Sequence, residues 1–432
     1  MFVPISSSKR NLGAKPSPFE SSPSYPSVRN ETRGRKKRPT PAVTAAPLPP
    51  LTSLPLPAGP AIMADAVGAT PLLPGLPDEI SIWEILVRLP PKSVLRSRAV
   101  SPAWRRATST RGFLLSHHAR QPALPLQYTH SIVADGGESL DVVPFDHRAG
   151  VAAADRFQCV ARLQRAPHFY HAPRFYLEAS CDGLLVLSFG FDDICICNLA
   201  TRQYAPLQQV HGFSPVELYP HPSTGEYRLL LYQGEDQDAI YVFTVGSGQP
   251  PRHISCPDPL ELQDCPGLLF HGSLYWYIGN RIMVFDTTAE SFRQIRAPVA
   301  SDHARLFEMG DMLAVSSLND EETAIDIWVM RDYQGEVWDF KRRIDLPAAE
   351  IRHQCQFSLS EEDVMVVPGD GELVVLVGCN GWLFQVDVNG KLIASFQPRG
   401  LNSTLYVLKQ TLVQHTFFPA LEGYVVNASP FI

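Results

Sequence analysis

Five stretches between Gly183 and Phe396 repeat one theme, and this repeat limits the fold more than any other feature of the chain. Each has an apolar run, a polar turn, a second alternating run and a short third run. The first repeat is Gly183–Ser188, Ile194–Leu199 and Tyr204–Leu207; the last is Leu373–Gly378, Leu383–Val388 and Leu392–Phe396. Short apolar runs bounded by turn residues read as strands. Matching points in the middle strands are Asn198, Thr244, Asp286, Met330 and Asp387, spaced 46, 42, 44 and 57 residues apart. That is close to the ~40–50 residues of a propeller blade. Residues 124–165 can supply a sixth, degenerate blade, and strands near Leu405–Leu408 and Tyr424–Val426 are placed to zip the last sheet to the first. The expectation for residues 119–432 is therefore a large all-β domain, a six-blade β-propeller-like fold. Radial closure removes the open edges that a single sheet of this size would expose. A β-sandwich is the alternative.

Charge divides the chain into three parts. Residues 1–62 hold nine basic and two acidic residues, 76–118 hold seven and three, and 119–432 hold 21 and 38. So acidic a body argues against a nucleic-acid footprint there. No apolar run approaches the ~18 residues needed to cross a bilayer, which predicts a soluble chain. Residues 1–75 are Pro-, Ser- and Ala-rich without periodicity and are expected to be disordered. Arg33–Pro39 reads as a nuclear-import patch, the Ser-rich composition as a transit peptide, and Met63 as an alternative start that would make the tail an upstream extension. A nuclear or cytoplasmic location is expected. The chain opens with no apolar leader, so the sequons at Asn402 and Asn427 are expected to be unused, and the eight cysteines reduced and buried.

Residues 76–118 carry a different pattern. On a 100° helical wheel, the apolar residues from Ile80 to Leu89 sweep an arc of roughly 220°, against the ~100° stripe that docks a helix on one core. Pro90-Pro91 then breaks the chain and opens a helix over about Lys92–Arg98. Ser101-Pro102 opens a third through Trp104, as N-cap and first helical residue. A last amphipathic stretch, Phe113-Leu114-Leu115, ends near His117-His118. So small an all-α unit supplies only a few kcal/mol from its own core. It carries more apolar mass than it can hide, and a partner must cover the rest.

The order Leu76-Pro77-Asp78-Glu79, Glu84–Pro90, Lys92–Ser101 and Trp104-Arg105 resembles the F-box motif. It departs from that motif at Ser101-Pro102-Ala103, where a Lys often precedes the Trp, and at Trp83. The resemblance implies binding to the Skp-type adaptor of a cullin–RING ubiquitin ligase. Leu76, Pro77, Ile85, Leu86, Leu89, Leu95, Val100 and Trp104 would form or support that face. The stretches Ser180–Leu185, Asn198–Gln203, Gly272–Trp276, Phe285-Asp286 with Glu290–Phe292, and Ile327–Met330 look like the F-box-associated domain of plant F-box proteins, with Leu199 where a Pro is usual. That likeness implies a substrate-receptor platform for an unknown target protein. The alternative is a binding protein that delivers nothing for ubiquitination.

Local sequence assigns no nucleophile, base, metal or cofactor, so the chain is expected to be non-catalytic. His168-x-x-His171 lacks further ligands nearby. The acidic runs 192–193 and 235–238 fall at hairpin turns and lack calcium-loop spacing. Gly246-Ser247-Gly248 lacks the Lys of a phosphate loop and reads as a turn. Cys195 and Cys197 alternate on one strand and share a face. Tyr275-Trp276-Tyr277, Trp328, Trp338 and Trp382 are expected to pack blade against blade.

Overall fold

In the computed structural model the described residues are 77–132, 137–165, 175–189, 193–234, 238–263, 266–301, 303–355, 364–369, 371–398, 400–418 and 431. The first helical run is α1 (Asp78–Ile80), followed by a π-helical turn at Ser81–Ile85 and a 3-10 turn at Leu86–Arg88. This corrects the regular wheel drawn from sequence, because a π turn admits an extra residue and shifts every side chain after it. Next come α2 (Pro91–Val100), α3 (Pro102–Thr108) and α4 (Arg111–Arg120). The proline and cap signals act as expected: Pro91 and Pro102 open their helices, and Ser101 Oγ accepts from the Trp104 N–H at 3.3 Å. Thr110 does the same for α4, accepting from the Phe113 N–H at 3.4 Å.

The β region begins with β1 (Leu124–Ile132), β2 (Glu138–Pro144) and β3 (Ala161–Arg165). A complete blade follows in β4 (Phe175–Cys181), β5 (Leu184–Phe189), β6 (Asp193–Asn198) and β7 (Gln203–Pro206). The next is β8 (Ser214–Pro220), β9 (Tyr227–Gln233), β10 (Ala239–Thr244) and β11 (Arg252–Ile254). Then come β12 (Leu268–Phe270), β13 (Ser273–Ile278), β14 (Arg281–Asp286) and β15 (Ser291–Arg296). A fourth blade holds β16 (Ala304–Met309), β17 (Met312–Leu318), β18 (Ala324–Asp332) and β19 (Val337–Asp345). After α5 (Ala348–Cys355), the fifth holds β20 (Val364–Pro368), β21 (Leu373–Cys379), β22 (Trp382–Val386) and β23 (Leu392–Phe396). The last strand, β24 (Leu401–Leu408), pairs antiparallel with β1, so the closing blade runs β24-β1-β2-β3. The fold is a six-blade β-propeller behind a short helical region, closed as expected at Leu405–Leu408; Tyr424–Val426 lies outside the described residues.

In three of the five repeats the turn after the third strand has a common physical basis. Asn198 Oδ1 accepts from the N–H groups of Ala200 (3.0 Å) and Thr201 (3.2 Å). Asp286 Oδ1 accepts from Thr288 and Ala289, both at 2.8 Å, and Asp387 Oδ1 from Asn389 and Lys391, both at 2.9 Å. Asx side chains satisfy the turn backbone in this way without a partner strand. The longest repeat spacing has a cause too, since α5 is inserted between the fourth and fifth blades.

The sheets meet in six seams. The buried clusters between successive blades include Ile196 and Phe243, Tyr219 and Phe285, Ile282 and Val315, and Ile327 and Phe384. The closing blade packs on one neighbour through Leu140 and Leu187, and on the other through Phe145 and Leu383. Trp276 is fully buried, and Trp328, Trp338 and Trp382 lie half-buried against these clusters, as blade packing requires. Glu290 ties two blades together: it accepts from the Tyr219 hydroxyl at 2.9 Å and pairs with Arg228 and Arg252. Burial alone would raise its carboxyl, but these donors hold it below the usual range.

Cys195 and Cys197 share one buried cluster, and burial pushes the Cys197 thiol up to about 12. The expectation of buried thiols fails at Cys159, which is exposed, and at Cys256, which is half-buried. His168, His171, Asp192, Cys265 and the turn residues 235–237 lie outside the described residues.

Candidate functional site

The helical region buries Leu86, Val87, Val94, Phe113 and Leu114, and the sixth member of this cluster is Leu412, from the segment that follows β24. Val413 and Ala200 pack on it as well. The small core is therefore completed by the propeller's own chain, nearly three hundred residues further on.

Chain crossing here is accommodated by a tight turn. Asp182 (φ 50°) and Gly183 (φ 83°) join β4 to β5 with positive φ at both positions. A Cβ on Gly183 would lie 2.4 Å from the Lys409 carbonyl oxygen, so only glycine lets the strap pass. Asp182 takes a hydrogen bond from the Tyr227 hydroxyl at 2.9 Å and faces His118 Nε2 at 3.5 Å. His118 first, then Tyr227, hold its carboxyl below the usual range against the opposing effect of burial. The Asn198 amide donates to the Thr411 carbonyl at 3.3 Å.

Inside the module, Pro90 stops the first helical run and leaves the Leu89 carbonyl without a helical partner. His117 Nε2 lies 2.9 Å from that oxygen, and the Gln121 amide donates to it at 3.3 Å. His117 is fully buried, and burial holds its imidazole below the ordinary value. Arg98 joins α2 to α3 through Thr108, donating to its hydroxyl at 3.0 Å and its carbonyl at 2.6 Å.

The residues expected to form the adaptor face divide into three groups. Pro77, Ile85 and Val100 are exposed, Val100 at 65%. Leu89, Leu95 and Trp104 are half-buried against the module core. Leu86 is only 3% exposed; it supports the face from beneath and cannot itself touch a partner. Leu76 lies outside the described residues. The expected face omits Ile80 and Trp83, which are 43% exposed, as Ile85 is. Trp83 leans on Phe113 with ring centroids 5.9 Å apart, so a rigid aromatic surface stands at the edge of the core. Its wheel position between Leu86 and Val87 hid this, because the π turn falls there. Basic side chains border these residues: Lys92, Arg96 and Arg106 are exposed, while Arg88 pairs with Glu84 at 2.7 Å.

Glu217, in β8, carries no signal in the sequence. It is buried, accepts the N–H groups of Leu218 (3.2 Å) and Gly267 (2.9 Å), and burial pushes its carboxyl up to about 8. Its hydrogen bonds make it a clamp between β8 and the entry to β12. Among the described residues no three His, Cys, Asp or Glu side chains are grouped to hold a metal, and no helix is long and apolar enough to cross a membrane.

Comparison with known proteins matches the F-box domain to residues 73–116 and the F-box associated beta propeller domain to residues 159–400. An F-box protein of Arabidopsis thaliana is 24% identical over 301 residues, 62% of each chain. A second from that plant is 24% identical over 290 residues, 60% of this chain and 66% of the relative. A third is 22% identical over 339 residues, 71% and 80%. This chain thus spans 62% and 66% of the first two relatives' lengths.

Proposed function

Because this chain belongs to the family of F-box-associated β-propeller proteins, we propose that it is the substrate-receptor subunit of a Skp–cullin–F-box ubiquitin ligase. The observation that carries this reading is the set Ile80, Trp83, Ile85 and Val100, left exposed on a module too small to bury them. A fully buried side chain of this kind contributes about 1.5–3 kcal/mol relative to an exposed one, so a partner that covers the set gains several kcal/mol. An apolar center with a basic border is the anatomy of a docking face. The chain's contribution is positional rather than catalytic. The module holds the Skp-type adaptor, the propeller holds a target protein, and tethering raises the target's effective concentration at the ligase.

The test is binding of the full chain to a Skp-type adaptor by calorimetry, beside a Trp83→Asp, Ile85→Asp variant. Both positions are exposed, so the variant should melt as the wild type does while adaptor affinity falls at least a hundredfold, about 3 kcal/mol. Unchanged affinity in the variant, or a folded wild type that does not bind, would remove the proposal. If the adaptor binds but a propeller-bound target fails to accumulate when the ligase is inhibited, the non-degradative alternative takes its place.

A further inference from the structure

The innermost strands contact one another around the axis, β24 with β4, β4 with β8, β12 with β16 and β16 with β20, and so ring a central channel. One seam opening onto it holds a cavity of about 330 Å³, between the closing blade and the β4 blade. Protein interiors contain few voids larger than a water molecule, and this volume lies within the range of small-molecule sites. Its walls are mostly apolar, with Leu126, Val142, Phe175 and Leu187 among them beside Ser403 and Thr404. Phe175 begins β4 and Asp182, beside the helical module, follows its last residue, so the cavity reaches toward the end of the channel away from the module.

Two charged side chains line this apolar space. Arg305, in β16, has its Nε buried without a hydrogen-bond partner, and no ion pair joins its guanidinium to an acid among the described residues. Glu178, in β4, is half-buried and accepts from the Ser188 hydroxyl. A guanidinium N–H buried without an acceptor from the protein is costly. An anion brought into the cavity would supply that acceptor, and the apolar walls would hold the rest of the molecule.

We propose that this cavity binds a small apolar anion, its ring body between the closing blade and the β4 blade and its negative group on Arg305. The site is remote from the adaptor face, and its test does not depend on that reading. The probe is 2-naphthoate, titrated into the full chain by calorimetry, with 2-naphthamide as its neutral counterpart. The wild type should bind naphthoate at one site and naphthamide roughly tenfold more weakly, as expected for losing a hydrogen bond to a charged group. Arg305→Gln should bring the two ligands to equal affinity, and Arg305→Lys should restore part of the difference. Leu177→Trp, which fills the cavity, should abolish binding of both. Glu178→Gln should strengthen naphthoate alone by a few-fold, by removing a like charge. Thermal melts identify any variant that fails to fold, and the wild-type comparison stands without variants. No naphthoate binding, equal affinity for both ligands in the wild type, or binding that survives in a folded Leu177→Trp protein would each overturn the proposal.

Discussion

The helical module and the propeller hide their apolar side chains in different ways. In the propeller every blade has a blade on each side, so Trp276, Phe285 and Phe384 are fully buried between sheets of the same chain. Among the described residues the module packs on the propeller's chain at one side. It buries Phe113 and Val87 completely, borrows Leu412 to finish the cluster, and leaves Ile80, Trp83, Ile85 and Val100 outside. Closure lets a fold satisfy itself; a short bundle must draw on a neighbour to finish its core.

The largest expected effects break one region without the other. Leu412→Asp places a charge in the module core and should destabilise the module by at least 3 kcal/mol, enough to unfold it locally. Hydrogen exchange should then show residues 78–120 open, adaptor binding should be lost, and the main melting transition should hardly move. Phe384→Ala is the reverse case: a cavity in the seam between the fourth and fifth blades, costing about 3–5 kcal/mol and seen in the main transition. If Leu412→Asp leaves residues 78–120 as protected as before, the module is self-sufficient and the comparison fails.

Acid and base should separate the two regions as well. His117 in the module and His415 in the strap are held below the usual 6.5, His415 at about 4, by burial. An imidazole with a lowered folded value makes its full contribution above pH 6.5 and loses it as the pH falls through its folded value, about 4 for His415. Glu217 has the opposite sign. Its folded value of about 8 stands above the usual 4.5, so its contribution is complete below pH 4.5 and declines as pH rises to about 8. Exchange at residues 78–120 should therefore speed up between pH 7 and 5 beyond its intrinsic pH dependence. The propeller's melting temperature should fall between pH 5 and 8 in the wild type and fall less in Glu217→Gln. The smallest effect is at the cap: Ser101→Ala should cost about 1 kcal/mol, read as faster exchange in α3 alone.

Much of this architecture was legible before any coordinates. Each blade's outer three strands follow from alternation and turn residues, and Asn198, Asp286 and Asp387 mark equivalent turns because each caps one. Of the innermost strands only β24 shows in the sequence; those that open the five repeats do not. β12 has three residues, Leu268–Phe270, and β16, Ala304–Met309, mixes Arg and Glu with Leu and Phe, so neither shows a clear period. α5 gave no signal except a spacing that was too long.

On the module, proline positions and caps located α2 and α3. They could not sort Leu86, buried, from Trp83, exposed, because a wheel assumes one helical period and the π turn breaks it.

Local periodicity, turn chemistry and capping act over a few residues, so the sequence alone determined the blade repeat, the helix starts and the apolar excess of residues 76–118. Contacts between residues hundreds apart leave no periodic trace. Only the tertiary structure decided that Leu412 completes the module, that Gly183 yields to the strap, that Glu217 is buried, and that Arg305 faces an apolar cavity without an acceptor.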